Sequence, residues 1–246
     1  MHAHRMPARY VVLVWTAVAL LASSATKPVV AEETLDDALK HALAEIVVCG
    51  VGASSGAALI MGIRSLTQGR LQINVRSGTV LRSNDTEAQS MIIHRVEGEY
   101  DELVHDLQEK CEEAARREAE RANRGEGLSD HWLETKTVDI EPYQSRLYLL
   151  SAYCLEFEKD NPSPNTNFTV IGQPNYETAR VFDHLQRNPS SYSVAAIQLA
   201  IWATNGNHSD AEIGEKFSFD SDDRTSACRL LQAAGINAGQ KALCTR

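Results

Sequence analysis

The sequence predicts an α+β fold: an antiparallel β-sandwich or sheet with a helical C-terminal half and an inserted charged helix. Three observations predict it. Short runs between residues 67 and 157 alternate apolar and polar side chains, as strands do. From residue 176 onward, apolar residues recur at helical spacing. A heavily charged stretch at 101–124 keeps a helical period between the predicted strands. Strands followed by helices that close over them are typical of this class.

The first 31 residues have the pattern of a secretory signal peptide. Arg5 and Arg9 give a positive start, and Tyr10–Leu21 is an uncharged apolar run. Val29 and Ala31 supply the small side chains that a signal peptidase needs at −3 and −1. The apolar run is shorter than the ~20 residues that span a bilayer as a helix. We therefore expect a secreted, extracellular or cell-surface protein, with an uncleaved membrane anchor as the alternative.

Cleavage there would leave 215 of the 246 residues, enough for one sizeable domain. The net charge of −9 would fall to −12, because the leader has three basic residues and no acidic ones. A chain this acidic, without a cluster of Lys and Arg, is a poor partner for nucleic acid or anionic lipid. We expect a helical or apolar N-terminal segment at 32–66. A single α+β domain should follow at 67–246, with the helical insertion at about 101–124.

Ile46–Ile63 carries no charge over 18 residues, which is long enough to suggest a membrane span. Its glycines and serines lower both its hydropathy and its helix propensity. A buried segment of small residues is the favoured interpretation. Contact with a membrane is expected only if this segment or the N-terminal one is retained as an anchor. The glycine spacing does not match phosphate-binding or dinucleotide-binding loops.

The remaining elements follow from local patterns. Leu71, Ile73 and Val75 predict a half-buried strand. The charged helix at 101–124 has a narrow seam rich in alanine, and we expect it to lie on the domain, with partner binding as the alternative. The C-terminal half predicts helices at 176–187, 192–204 and 222–234, the last with Ser221 as N-cap and Gly235 as its stop.

The chain has five cysteines, an odd number in a compartment where disulfides form. Cys228 and Cys244 enclose a short loop and are the predicted pair, worth about 3 kcal/mol on the chain-entropy model. Little in the sequence supports a Cys49–Cys111 pair. No Cys/His spacing typical of zinc occurs, so we expect no metal and no cofactor.

Two residues place polar or reactive groups in apolar surroundings. Cys154 lies in Leu147–Phe157, whose two faces are both mostly apolar, which predicts a central strand. Gln198 is the one polar side chain of Val194–Ala203, and a helix that is apolar all round is buried all round. A buried amide without partners costs about 1–3 kcal/mol. Gln198 must therefore be hydrogen-bonded or chemically altered.

The segments around these residues, Tyr153–Glu156 (YCLE) and Ala196–Trp202 (AIQLAIW), resemble the paired motifs of bacterial thioester domains of surface adhesins. In that family a strand cysteine and a glutamine in a Gln-x-Ala-aliphatic-Trp helix form an internal thioester. The chain departs from the family in having Ile197 where threonine usually precedes the glutamine. The resemblance implies a Cys154–Gln198 cross-link that attaches the protein to amine or hydroxyl groups of an extracellular protein or glycan surface.

Such a protein reacts once and is not an enzyme. Glu156, His184 and Trp202 are the residues that could assist, with His208 a further proton carrier. The main alternative is a non-covalent, disulfide-stabilised extracellular binding or structural module, in which Gln198 binds a strand-end backbone group and Cys154 is an ordinary buried thiol. A Cys154–His184 hydrolase is the third interpretation. A buried strand position suits an exposed nucleophile badly, so it is disfavoured.

Overall fold

A computed structural model describes residues 32–100, 104–124, 137–189 and 191–245. The predicted signal peptide lies outside these residues. The strands are β1 (Glu32–Thr34), β2 (Ala44–Gly50), β3 (Ser55–Ser65), β4 (Leu71–Asn74), β5 (Val80–Ser83), β6 (Met91–Tyr100), β7 (Thr137–Ile140), β8 (Ser145–Cys154) and β9 (Asn167–Gly172). The helices are α1 (Leu35–Lys40), α2 (Leu107–Asn123), α3 (Tyr176–Arg187), α4 (Val194–Asn205), α5 (Asp210–Gly214) and α6 (Ser221–Ala233).

The α+β class is confirmed, but the expected sandwich or open sheet is wrong. Six antiparallel strands close into a barrel in the order β2-β3-β8-β6-β5-β9. The closure comes from β9, in which Phe168 lies opposite Val48 of β2 on one side and Ser83 of β5 on the other. Because β9 pairs on both sides, the barrel has no free edge where a second layer would begin. The strands β1, β4 and β7 form a separate small sheet.

The segment 32–66 is not a separate helical or apolar unit. Only α1 is helical there, and β2 and β3 belong to the barrel, so the boundary at residue 66 does not divide the fold. The uncharged run of 46–63 is explained by burial of both strand faces. Val48 faces the main core, whereas Cys49 packs in a second cluster beneath α2. Gly52, at φ +98°, allows the turn between the two strands.

No helix in the described part of the chain is both long enough and apolar enough to span a membrane.

The charged helix α2 lies on the outside of the barrel, against β2 and β3. Asp106 caps it by accepting from the Glu109 N–H at 2.9 Å. Its buried side includes Cys111 and two alanines, as the alanine seam predicts. The helix approaches closely at Gly62, where an added Cβ would lie 2.8 Å from the Leu107 side chain.

The C-terminal helices cover the barrel, and α4 lies at their centre. It packs against α3 and α6 and against strands β8 and β3. The three helices predicted from sequence are confirmed in position. The N-cap of α6 is Asp220 and not Ser221, because the Asp220 carboxylate accepts from the N–H groups of Asp222 and Asp223. Gly235 follows the end of α6 at φ +71°, as expected of a helix stop.

Candidate functional site

Cys154 is the last residue of β8, the barrel strand between β3 and β6. Its N–H donates to the Ser54 carbonyl at 2.9 Å, and Met91 of β6 lies opposite it. The thiol Sγ contacts Met91 Sδ at 3.3 Å. The side chain is completely buried, so water does not reach the sulfur in this conformation.

Gln198 reaches the same point from α4. Ser193 begins this helix, its hydroxyl accepting from the Ala196 N–H at 3.1 Å. Every residue from 196 to 203 is buried, as the uninterrupted apolar sequence predicts. Gln198 is completely buried with them and projects from α4 onto the end of β8.

The Gln198 carboxamide pairs with the backbone of Cys154 at two points. Its Oε1 accepts from the Cys154 N–H at 3.1 Å, and its Nε2 donates to the Cys154 carbonyl at 2.8 Å. The backbone groups fix which amide atom is oxygen, because the N–H can only donate and the carbonyl can only accept. The Gln198 carboxamide thus contacts the backbone of Cys154, a residue 44 positions away in the chain, in a buried site. The same contacts also meet the expectation that a structural glutamine would bond a strand-end backbone group.

Burial dominates the electrostatics of the thiol. Desolvation raises the pKa of Cys154 well above its ordinary value, and the nearby Glu156 carboxylate raises it further. The thiol is therefore protonated at neutral pH. A protonated thiol is a poor nucleophile, and the burial of Cys154 also keeps outside molecules away from its sulfur.

The three candidate assisting residues are placed differently. The Glu156 Oε2 accepts from the Ser90 N–H at 2.6 Å, and its Oε1 lies 3.6 Å from Lys159 Nζ. Trp202 packs edge-on against Phe157, with ring centroids 5.2 Å apart. His184 hydrogen-bonds to Tyr192 at 3.0 Å.

His208 packs on Phe157, and its Nδ1 lies 3.6 Å from the Glu158 carboxylate. Neither His208 nor His184 hydrogen-bonds to Cys154 or Gln198 in the described residues. A Cys154–His184 nucleophile pair is therefore not assembled in this conformation.

The predicted disulfide between Cys228 and Cys244 is present, with an S–S distance of 2.00 Å, and it ties α6 to the C-terminal turns. Cys49 and Cys111 are buried and not bonded to each other. Among the described residues, no group of three or more His, Cys, Asp or Glu side chains could hold a metal ion.

The described part of the chain contains several cavities, and two of them bear on the site. The larger, about 620 Å³, lies between β6 and α3, and His94 and Ser77 line it. The smaller, about 410 Å³, adjoins the Cys154–Gln198 pair, and Trp202 lines it. The one sequence signal for the larger cavity is a histidine inside the apolar strand MIIHRV.

His94 is only 8% exposed and sits at a β-bulge, where the register against β8 shifts between Ile93 and Arg95. Desolvation, with a smaller contribution from the Arg95 charge, lowers its pKa to about 4, so the ring is neutral at physiological pH. Its Nδ1 and the Ser77 hydroxyl oxygen are both buried without a hydrogen-bond partner among the described residues. Bulges and unpartnered polar groups are typical of binding sites.

No family model, curated protein or solved structure matches the chain. The similarity to thioester domains therefore rests on the two short motifs quoted above.

Proposed function

We propose that the protein is exported, to the extracellular space or a cell surface, and attaches covalently to its target through an internal thioester between Cys154 Sγ and Gln198 Cδ. The observation that carries this proposal is the contact of the Gln198 carboxamide with Cys154 inside a dry site. The targets are amine or hydroxyl groups on an extracellular protein or glycan. The disulfide Cys228–Cys244 agrees with an oxidising compartment.

The bond forms by acyl transfer. The thiol sulfur adds to Gln198 Cδ, the C–Nε2 bond breaks, and the nitrogen leaves as ammonia with the thiol proton. The Cys154 N–H already holds Oε1, the atom on which negative charge develops as the sulfur adds. The step is balanced without an oxidant, a metal or a second protein.

Burial would keep the thioester latent. Attack by an amine or hydroxyl expels the Cys154 thiolate, and the apolar surroundings that raise the pKa of this thiol make its thiolate a poor leaving group. Opening of the site hydrates the sulfur and removes this barrier. Each molecule reacts once and remains bound through the former Gln198 side chain, so the protein is not an enzyme.

Intact-mass measurement tests the proposal. We expect the native protein to be lighter by about 17 Da, one ammonia, than the chain calculated with its Cys228–Cys244 disulfide. Methylamine treatment should release the thiol and leave one methylamide at Gln198, located by peptide mapping.

Two cysteine variants provide the matched control. Cys154→Ala should have the calculated mass and incorporate no methylamine. Cys111→Ala, also a fully buried cysteine, should keep both the mass deficit and the reaction. A native mass equal to the calculated one, with Cys154 alkylated after denaturation, would exclude the thioester.

The larger cavity favours a second candidate, the non-covalent disulfide-stabilised binding module. Arg76, Arg95 and Asp183 line it together with the neutral His94, so it offers charged and neutral polar groups over an apolar floor. This function requires an unmodified native mass and ligand-dependent shifts of the His94 ring resonances. If no ligand shifts the His94 ring resonances, the binding-module function loses its support.

A further inference from the structure

The smaller cavity is a groove beside the Cys154–Gln198 pair. Ser54 lines it, and the carbonyl of this residue accepts from the Cys154 N–H at 2.9 Å. Trp202 also lines it and lies one turn after Gln198 on α4. The groove is thus connected to Cys154 through Ser54 and to Gln198 through the next turn of α4.

Two residues that line this groove each carry a deeply buried polar atom without a hydrogen-bond partner among the described residues. Gln89 is 3% exposed and Trp202 is 2% exposed, yet Gln89 Oε1 and Trp202 Nε1 make no hydrogen bond. The Gln89 amide orientation is fixed, since its Nε2 donates to the Lys159 carbonyl at 3.0 Å. Leaving such groups unsatisfied is costly, and a ligand that pairs with them recovers that cost.

The two groups are complementary in kind. The indole N–H can only donate and the amide oxygen can only accept. A hydroxyl both donates and accepts, so hydroxyls satisfy both groups, whereas a protonated amine can only donate. The rings of Phe157 and Phe217 stand edge-on to Trp202, each 5.2 Å away, and supply apolar surface for the C–H face of a sugar.

The charges around the groove also favour a neutral hydroxyl ligand over an ammonium group. The charged side chains that line the groove are Lys159, Lys216 and Asp160, and Lys159 Nζ is paired with the Glu156 carboxylate at 3.6 Å. Lys216 Nζ lies 5.1 Å from the centroid of the Phe157 ring, at the groove itself. A lysine ammonium from a target protein would meet this positive charge, whereas a neutral sugar would not.

We propose that the groove binds a neutral glycan and that a sugar hydroxyl is the acceptor of the acyl group. Binding rests on the groove alone, and the covalent step rests on the proposed thioester. In that step the sugar oxygen bonds to Gln198 Cδ, the C–S bond breaks, and the hydroxyl proton passes to the Cys154 sulfur. The products are an ester and a free thiol.

Titration of the Cys154→Ala chain with methyl α-D-glucopyranoside and methyl α-D-galactopyranoside tests binding without the thioester. The readout is the indole N–H resonance of Trp202, assigned as the one missing from Trp202→Phe. We expect it to shift with at least one glycoside and not with n-butylammonium chloride. A shift with the ammonium alone, or with no probe, overturns the proposal.

Groove variants localise the binding. Trp202→Phe keeps a ring but removes the donor, and Gln89→Met removes the acceptor at similar volume. Each should weaken the glycoside about tenfold, the loss of one hydrogen bond, with the remaining groove amide resonances as readout. Tyr143→Phe, an exposed hydroxyl in the turn before β8, should change nothing. Equal affinity in all three variants would contradict groove binding.

The covalent step is tested by measuring the intact mass of the native chain with the glycoside. A glycoside adduct at Gln198 supports both proposals. A native mass deficit without glycoside binding refutes the glycan and leaves the thioester. Glycoside binding to a chain without a mass deficit supports the groove and refutes the thioester.

Discussion

The two regions that hold unbonded cysteines share complete burial but differ in what lies against the sulfur. Cys49 and Cys111 lie between the barrel and α2, where Cys49 Sγ is 3.4 Å from the Asn167 side-chain oxygen and Cys111 Sγ donates to the Ile60 carbonyl at 3.3 Å. Desolvation first, and the neighbouring Cys49 thiol second, raise the pKa of Cys111. Cys154 lies at the end of β8, where its Sγ contacts Met91 Sδ at 3.3 Å and its backbone pairs with the Gln198 carboxamide.

The comparison shows that burial alone does not determine what a thiol can do. Two neighbouring thiols form a bond only if an oxidant removes two electrons. A thiol beside a carboxamide needs no oxidant, because ammonia carries away the displaced electron pair and the proton. A cross-link between Cys154 and Gln198 would therefore need no oxidant, whereas a bond between Cys49 and Cys111 would.

The largest effect should follow removal of the Gln198 side chain. Gln198→Ala leaves a cavity and removes the Nε2 bond to the Cys154 carbonyl in a dry site, while the Cys154 N–H still donates to the Ser54 carbonyl. We expect a loss of about 4 kcal/mol in the free energy of unfolding. Urea denaturation measures it. Gln232→Ala, an exposed glutamine of α6, should change stability by less than about 0.5 kcal/mol. Similar values for the two variants would mean that the region is not organised around the amide.

The second-largest effect should be a loss of folding stability at low pH, caused by His94 on the Cys154 side of the barrel. His94 packs against Tyr153, the residue before Cys154. The unfolded ring takes up a proton below about pH 6.5, but the folded ring does so only near its pKa of about 4. Stability from the neutral ring is complete above pH 6.5 and falls as the pH drops towards 4, by about 3 kcal/mol.

The measurement is the free energy of unfolding against pH. His94→Asn should flatten the curve between pH 6.5 and 4, and His41→Asn, an exposed histidine, should leave it unchanged. Identical slopes for the native chain and His94→Asn would contradict the shifted pKa.

The elements that the sequence predicts well are those with local causes. The helices α3, α4 and α6 follow from apolar spacing and caps, and β8 follows from two apolar faces. The barrel could not be predicted in this way, because its closure depends on Phe168 meeting Val48, which lies 120 positions earlier in the chain. Strands β2 and β3 were missed because burial of both faces removes the alternation that marks a strand.

The residues of the site also differ in whether a local sequence pattern indicates them. Gln198 was found because a single polar residue in an apolar helix is visible in the sequence. Gln89 and His94 were missed because a polar residue in a loop, or a histidine in a strand, is usually solvated or satisfied. Only the three-dimensional arrangement shows that Gln89 Oε1 and His94 Nδ1 are buried without partners among the described residues.

The smallest effect should follow Cys111→Ala. If this sulfur only packs, its loss resembles removal of one methyl-sized group and costs about 1 kcal/mol in urea unfolding under reducing conditions. Two results together would contradict this expectation. The variant would lose more than about 3 kcal/mol in the free energy of unfolding, and the mass of the untreated native chain would be lower by about a further 2 Da, mapped to Cys49 and Cys111. Those results would mean an oxidised pair under α2. With Cys228 and Cys244 already joined, it would leave Cys154 as the one unpaired sulfur among the five cysteines, and the contrast with Gln198 would become sharper.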